Sequence, residues 1–239
     1  MNPEAVLLPR VLKRAGYHTA LVGKWHLGLE KPNTPLDHGF DHFHGFLGDM
    51  MDDYWNHRRH GQNYMRHGHE EIAPKGHATD LFTQWAVDYI KLRSQATQPW
   101  FCFLSYNAPH FPVQPTKAWL EKVLAREKVI DPMRAKLVAF IEHMNHGIGQ
   151  VIQTLKETNQ YDTTLIVFTS DNGGHRGSRA RVGPHRGFKQ DMYEGGLAVP
   201  FCAVWKNKIV PTSKSDLVAL TMDLYPTFCE AAGFKMEHT

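Results

Sequence analysis

Cysteine is scarce in this sequence, and its spacing excludes a scaffold held by disulfides. The 239 residues contain an odd number of cysteines, far apart in the chain: Cys102, Cys202 and Cys229. Two of the three stand in apolar, strand-like runs. We therefore expect all three to be core thiols rather than bridges.

Long apolar runs and glycosylation sequons are also missing. No apolar stretch approaches the length of a transmembrane helix, so we expect no membrane span. The apolar residues 6–8 are followed at once by Pro9 and Arg10, so we expect no signal peptide in this chain. The absence of an Asn-x-Ser/Thr sequon argues against a glycosylated secreted product. These observations leave the localisation open.

Nucleotide-binding loops and a strong net charge are lacking as well. Neither a GxxxxGKS/T nor a GxGxxG pattern occurs, so nucleotide binding is not supported. The net charge of +3 is mild. The most basic loop carries only Phe188 and Tyr193 as aromatic residues, too few for stacking on bases. We expect no nucleic-acid partner.

Histidine, in contrast, is abundant. The chain has 16 histidines, which include His42 and His44, His57 and His60, His67 and His69, and His175 and His185. Such residues are most often solvated, and this is the first interpretation. Metal or anion chemistry is the second, because imidazole changes its charge near neutral pH and is a common metal ligand.

Helix-like and strand-like segments alternate, which predicts an α/β fold. Helices are expected over residues 4–15, 79–94 (capped by Thr79 or Asp80), from Asp131 onwards, and over 216–232 with an interruption at Pro226. Strands are expected over residues 19–23, 100–106, 164–169 and 199–205. Residues 28–76 show no periodicity and are expected to form an irregular functional loop. The apolar strands predict one domain with a mostly parallel central sheet and helices on both faces.

Polar side chains stand at the ends of these strands, where ligands bind in open α/β sheets. In "LVGKWHLG", Lys24 and His26 are two residues apart and would share one face of an extended chain, with Trp25 on the other. An ammonium beside an imidazole suits an anion, but an exposed strand end with a salt-bridged lysine fits equally well. His110 follows the next strand between Pro109 and a second proline, either as a functional residue or as a loop histidine without a role.

The third predicted strand ends in "SDNGG". Asp171 and Asn172 offer hard oxygen ligands of the kind that suit Ca²⁺ or Mg²⁺, although a turn without metal is also common. The loop that follows is either an anion-binding loop or a solvated charge run, since it carries five cations: Arg176, Arg179, Arg181, Arg186 and Lys189. Together, these strand ends predict a site for a sulfate or phosphate ester.

Six segments, in order along nearly the whole chain, resemble the type I sulfatases of the alkaline-phosphatase superfamily. They are "AGYHTALVGKWHLG", "LDHGFDHFHGFLGDMMDDY", "NAPHFPVQP", "TSDNGG", "GFKQDMYEGGLAVP" and "TMDLYPTFCEAAG". One such segment would be only suggestive, but six in family order are specific. The resemblance implies the alkaline-phosphatase-like fold and a sulfated glycan or a small sulfate ester as substrate.

The resemblance also implies roles for individual residues. Lys24 and Lys189 would bind sulfate oxygens. His110 would contact the sulfate and protonate the leaving oxygen, and His26 would act as the base when the sulfated intermediate collapses. Asp171 and Asn172 would bind Ca²⁺, with Mg²⁺ as the alternative, and the ion would polarise the sulfate.

The sequence departs from the family pattern in two places. The family's nucleophile is a formylglycine made from the Cys or Ser of a Cys/Ser-x-Pro-x-Arg motif, and an Asp-Asp pair completes its metal site; both lie upstream of the Gly-Lys-Trp-His segment. Only 23 residues precede Lys24, and they contain neither. Asp52 and Asp53 come after that segment and are not equated with the pair. We expect residues 1–239 to be a partial sulfatase catalytic domain, without the family's smaller C-terminal subdomain and inactive alone.

Three functions stay open at this point. The first is a sulfuric ester hydrolase that acts, when complete, on sulfated glycans or aryl sulfates. The second is a non-catalytic relative that binds sulfate or sulfated glycans through Lys24, His110, Lys189 and the arginine-rich loop. The third is a related phosphoesterase, which the Gly-Lys-Trp-His and Phe-Lys segments disfavour. Family habit implies export to the periplasm, the cell exterior or the lysosome.

Overall fold

The computed structural model describes residues 5–234. The strands within this range are β1 (His18–Lys24), β2 (His42–Phe46), β3 (Arg58–Arg59), β4 (Gln62–Asn63), β5 (Met65–His67), β6 (Glu70–Glu71), β7 (Trp100–Ser105), β8 (Ile166–Thr169) and β9 (Phe201–Val204). The helices are α1 (Leu8–Arg14), α2 (Ala78–Arg93), α3 (Lys117–Arg126), α4 (Pro132–Glu157), α5 (Glu194–Leu197) and α6 (Leu224–Ala231). Three 3-10 turns lie at Tyr161–Thr163, Arg176–Ser178 and Thr221–Asp223.

The main sheet has five strands in the order β6-β5-β2-β1-β7. Its centre is parallel, because β1 pairs in parallel with both β2 and β7. The strands β5 and β6 join as antiparallel neighbours, and β8 and β9 form a separate antiparallel pair. The α/β class is confirmed, but the sheet is mixed: the parallel arrangement expected from the sequence holds for its three central strands.

Both faces of the sheet carry helices, as the sequence predicted. Val22 of β1 packs in a cluster with Phe82 of α2 and Phe140 of α4. Leu21, the preceding residue, belongs to a second cluster on the opposite face. That face is covered by α1, which contacts β1 and α6. The alternation follows from the strand period of two, and it explains why Ala20, Leu21 and Val22 are all fully buried.

Helix boundaries follow capping chemistry. Asp131 caps α4 by accepting the Arg134 N–H at 2.9 Å, and Pro132 follows it at the first helical position, so this predicted helix start is confirmed. For α2 the expected caps, Thr79 and Asp80, are wrong. The N-cap is His77, whose Nδ1 accepts the Thr79 N–H at 3.2 Å. None of the described helices combines the length and the apolar composition needed to cross a bilayer.

Several local expectations are wrong. Residues 28–76 contain β2 to β6 rather than an irregular loop; histidines and a glycine interrupt the apolar pattern of β2, which hid it. The first helix begins at Leu8, just before Pro9, and its expected start at residue 4 lies outside the described residues. The last helix begins only at Leu224, and Pro226 lies in its first turn, where a missing N–H costs nothing.

The cysteines and two apolar strands are more exposed than expected. Cys229 is buried and Cys102 is partly buried, but Cys202 is exposed. Near-continuous apolar runs predict burial on both faces, yet Phe103 of β7 is 50% exposed and Phe168 of β8 is 36% exposed. The described residues therefore cover β7 and β8 incompletely.

The crossing of α2 and α4 depends on Gly147. A Cβ at this position would lie 2.3 Å from Thr83 Oγ1 and 3.0 Å from the Tyr106 hydroxyl. These two hydroxyl groups share a hydrogen bond of 2.7 Å. The glycine thus lets α4 approach a polar pair that ties α2 to the segment after β7.

Replacing Gly147 by alanine is expected to lower the free energy of unfolding by about 1–3 kcal/mol, because the methyl group overpacks this crossing. Gly149→Ala is the matched control on the same helix. No described atom outside its own helical turns lies within 4 Å of a Cβ there, so alanine should raise that free energy by about 0.5–1 kcal/mol. Urea denaturation measures both values. Equal effects of the two substitutions would contradict this packing.

Candidate active site

Two parallel strands deliver polar residues to one edge of the sheet. Lys24 is the last residue of β1 and is half-buried. Gly23 lies opposite Ser105 in the ladder between β1 and β7. The segment that leaves β7 towards His110 therefore starts beside Lys24. Of the three predicted strand ends, the sheet brings those of β1 and β7 together, whereas β8 lies in the separate pair with β9.

The charge environment of Lys24 shows that two further segments reach the same place. Burial lowers the pKa of Lys24, the carboxylate of Asp171 opposes that effect, and the ammonium of Lys189 adds to it. Asp171 follows β8, and Lys189 lies in the basic loop. Four chain segments therefore contribute to one cluster of interacting charges.

His26 lies just beyond β1, and its backbone is left-handed, with φ at 64°. The assumption that Lys24 and His26 share a face of one extended strand is therefore wrong in detail, because the strand ends at Lys24. A hydrogen bond of 3.1 Å from the His26 N–H to the Leu47 carbonyl holds the turn. The pKa of His26 is lowered first by burial and then by the charge of Lys24, so the two groups are nevertheless neighbours.

The ring of His26 opens onto a cavity of about 270 Å³. Asp49 and Arg59 form part of its wall, and the guanidinium binds the carboxylate through two hydrogen bonds of 2.8 and 2.9 Å. Arg59 holds the pKa of Asp49 low, against the effect of burial. Asp49 is an acid beside Lys24 and His26 that sequence reasoning missed, because it lies in a stretch expected to be irregular.

His110 is held by its own loop. Its N–H donates to the Asn107 carbonyl at 2.8 Å, and its Nδ1 lies 2.8 Å from the Phe111 carbonyl oxygen. Because a carbonyl only accepts, Nδ1 carries the proton and Nε2 is left for a ligand. Burial lowers the pKa of His110; the bond to Phe111 raises it, and the charges of Lys189 and Lys24 lower it.

Asp171 and Asn172 present oxygen atoms without competing bonds. Within residues 5–234, neither side chain makes a hydrogen bond or an ion pair, and Asp171 is exposed. Their donor chemistry fits a hard divalent cation. They supply two side chains, however, whereas Ca²⁺ takes six to eight oxygen ligands.

The arginines of the basic loop do not join this cluster. Arg176 lies 3.8 Å from Asp191 and over the ring of Phe188, and Arg179 lies 3.7 Å from Asp131. Both line a separate cavity of about 660 Å³ at the start of α4. Of the five cations in this loop, Lys189 is the one whose charge acts on Lys24, His26 and His110.

Asn107 is a second residue that sequence reasoning missed. It is 4% exposed, and neither atom of its side-chain amide has a hydrogen-bond partner among the described residues. A buried amide without partners costs about 1–3 kcal/mol. Its position three residues before His110 makes it a further polar group of this site. The only sequence signal was its place after a buried strand.

The histidines are less solvated than the first interpretation held. Four of them are buried: His38, His57, His77 and His143. Among the residues that the structure describes, two groups of side chains lie close enough together to bind a metal: His42 with His44 and His67, and His77 with Asp80 and His143. Only the alternation of His42 and His44 was visible in the sequence.

The chain is similar in sequence to proteins named as sulfatases. The chain is 30% identical to human N-acetylgalactosamine-6-sulfatase, over 95% of the chain and 44% of that protein. It is 33% identical to mouse arylsulfatase J, over 94% of the chain and 38% of that protein. The chain thus spans less than half the length of these relatives.

A solved structure matches the fold. The crystal structure of Ps i-CgsB in complex with k-i-k-neocarrahexaose superimposes with a TM-score of 0.89 at 30% identity. The match covers 98% of this chain and 55% of that one, so the described fold corresponds to about half of that protein. The family model described as Sulfatase matches residues 3–234. The chain therefore belongs to the sulfatase family.

Proposed function

We propose that this chain forms the sulfate-binding part of a sulfatase active site, in a protein that hydrolyses sulfate esters with the help of a divalent metal. The observation that supports the proposal is that the charges of Lys24 and Lys189 both act on His110, and that β7, which leads to His110, pairs with β1 beside Lys24. The two ammonium groups repel one another and disfavour protonation of the imidazole, and an anionic ester offsets both effects.

Lys24 and Lys189 are assigned to the non-bridging oxygens of the sulfate. Lys24 is half-buried at the end of β1, so its ammonium has lost part of its water and gains more from an anion than an exposed lysine would. Asp171 prevents the cluster from becoming purely cationic. These charges are already in place before the substrate binds, so the protein does not have to rearrange them during the reaction.

His110 is assigned to the leaving oxygen and His26 to the later base step. Nε2 of His110 is the atom left for substrate, because Nδ1 is bonded to the Phe111 carbonyl. The pKa of each ring is lowered in the free chain. The negative charge of a bound sulfate ester acts in the opposite direction and raises both, so substrate binding itself favours a protonated His110 that can act as the acid.

The family resemblance implies a metal ion and a formylglycine, and the residues of this chain fit the first but not the second. Asp171 and Asn172 fit a hard divalent ion, Ca²⁺ with Mg²⁺ as the alternative, and would hold it as part of a larger set of ligands. Such an ion, when bound, polarises a sulfate oxygen. No Cys or Ser in the sequence stands in a Cys/Ser-x-Pro-x-Arg motif, so the residues of this chain do not fit the formylglycine.

Sulfated glycans are the proposed substrate class, with small aryl sulfates as the alternative. The relatives include an N-acetylgalactosamine-6-sulfatase and an arylsulfatase, and one solved relative is complexed with a neocarrahexaose. The cavity beside His26 offers room for the sugar that bears the sulfate. An exported location, in the periplasm, outside the cell or in the lysosome, belongs to the same proposal.

Replacing Lys189 by methionine is expected to raise the pKa of His26 and of His110, because the ammonium opposes protonation of both rings. Asp171→Asn is expected to lower both, because the carboxylate favours protonation. NMR titration of the ring protons measures these shifts. Lys208→Met, at an exposed lysine whose charge acts on neither ring, is the matched control. Unchanged values in both test variants would show that the groups do not converge.

The chain is expected to bind a sulfated oligosaccharide more weakly as salt increases. Lys24→Ala and Lys189→Ala should each weaken binding about tenfold, the value of one lost hydrogen bond to a charged group, whereas Lys208→Ala should not. Affinity should increase as the pH falls, because the bound anion raises the pKa of His26 and His110 and is therefore favoured by their protonation. Isothermal titration calorimetry at several pH values tests this, and absence of binding at any salt concentration would refute the site.

Turnover of a fluorogenic aryl sulfate with added Ca²⁺ is expected to be absent, because the sequence lacks the nucleophile motif. Binding without turnover is also what the non-catalytic alternative requires. Hydrolysis that disappears in Lys24→Ala would show that another residue supplies the nucleophile. Parallel assays with an aryl phosphate test the phosphoesterase alternative, which selective hydrolysis of the phosphate would favour.

A further inference from the structure

Three histidines lie together on the sheet, away from the strand ends that carry the sulfate site. His42 and His44 belong to β2, and His67 belongs to β5. We propose that these three side chains form a binding site for a borderline divalent transition ion such as Zn²⁺. This inference does not rest on the proposed function.

Strand geometry brings the three rings together. His42 and His44 are two residues apart on one strand and therefore point to the same face. His67 lies directly opposite His44 in the antiparallel ladder between β2 and β5. One nitrogen atom from each ring can be chosen so that all three lie within 4.8 Å of one another.

The nitrogen atoms of these rings are uncommitted. Within the part of the chain that the structure describes, none of the three imidazoles donates or accepts a hydrogen bond or joins an ion pair. The second group differs in this respect. Nε2 of His143 lies 2.6 Å from Asp80, and both nitrogens of His77 are used, one by the Thr79 N–H and one by the Gln114 carbonyl. A metal there would break existing bonds.

Burial keeps two of the rings neutral, which supports metal binding. It lowers the pKa of His42 to about 4 and that of His44 to about 3, and the neighbouring His67 adds to both shifts. At neutral pH these rings therefore carry a free lone pair. A metal is bound by neutral imidazole, so no proton has to be removed first from either residue.

Aromatic neighbours from α2 fix the two rings of β2. The indole of Trp85 stacks on His44 with a centroid distance of 3.5 Å and an angle of 12° between the ring planes. Tyr89 lies 5.4 Å from His42, centroid to centroid. Side chains that are already held lose little entropy when they bind a ligand.

His67 is the ligand with room to move. It is exposed, and its ring stacks on His44 at 4.5 Å. Nitrogen atoms around a tetrahedral zinc are about 3.3 Å apart, as follows from Zn–N distances of about 2.0–2.1 Å. Rotation of the exposed His67 side chain can close the difference without a change in the backbone.

The ligand type selects the ion. Three imidazoles suit Zn²⁺, Cu²⁺ or Ni²⁺, and three protein ligands leave one position of a tetrahedral zinc for water. Ca²⁺ and Mg²⁺ require oxygen ligands. The histidine site is therefore chemically distinct from the oxygen atoms of Asp171 and Asn172, and a bound ion would link β2 to β5.

Zinc titration of the chain in competition with a chromogenic chelator tests the proposal. We expect His67→Gln to lower the affinity for the most tightly bound zinc ion at least tenfold. The exposed position of His67 means that this variant should fold normally, which circular dichroism checks. His69→Gln, at an exposed histidine outside the group, and Asp80→Asn, in the second group, are the controls and should bind like the wild type.

Thermal unfolding supplies a second readout. A ligand that binds only the folded state stabilises that state. Zinc should therefore raise the melting temperature of the wild-type chain and of both control variants. The increase should be smaller for His67→Gln. The proposal is overturned if His67→Gln binds zinc as tightly as the wild type. It is also overturned if Asp80→Asn, rather than His67→Gln, removes the most tightly bound zinc ion.

Discussion

The parallel pairing of β1 with β2 and β7 is the constraint on which the site depends. Gly23 lies opposite Gly45 in this ladder, and a Cβ on Gly45 would come within 1.9 Å of the Gly23 carbonyl oxygen. Only a residue without a side chain allows that approach. Because the strands run in the same direction, the chain leaves β1 and β7 at the same edge, with Lys24 on one segment and His110 on the other. An antiparallel partner would have carried its loop to the opposite edge.

That edge combines burial with charges of the same sign. Lys24 and Lys189 each disfavour protonation of the imidazoles of His26 and His110, while Asp171 favours it. Mutual repulsion in a half-buried place lowers stability, and functional sites are where such arrangements are found. Two arginines of the same loop differ in this respect, because Arg176 and Arg179 each lie close to a carboxylate that offsets their charge.

Two kinds of ligand atom lie on different sheets of this fold. Asp171 and Asn172, which follow β8, offer hard oxygens, and the charge of Asp171 acts on Lys24. His42, His44 and His67 offer imidazole nitrogens where β2 meets β5. Strand alternation produces the second group, because every other residue of β2 faces α2. Phe43, between the two histidines, is buried in the cluster on the other face.

The sequence by itself determined the elements with strong periodicity or capping chemistry. It predicted β1, β7 and the start of α4 at Asp131, and it placed polar residues after the predicted strands. It did not predict β2 to β6, because histidine and glycine break the apolar pattern, or the N-cap role of His77. Only the tertiary structure decided the antiparallel outer strands, the neighbours of each arginine, the presence of Asp49 and Asn107 near the site, and the meeting of His67 with His44. These features depend on contacts between residues far apart in the chain, which local pattern and propensity do not encode.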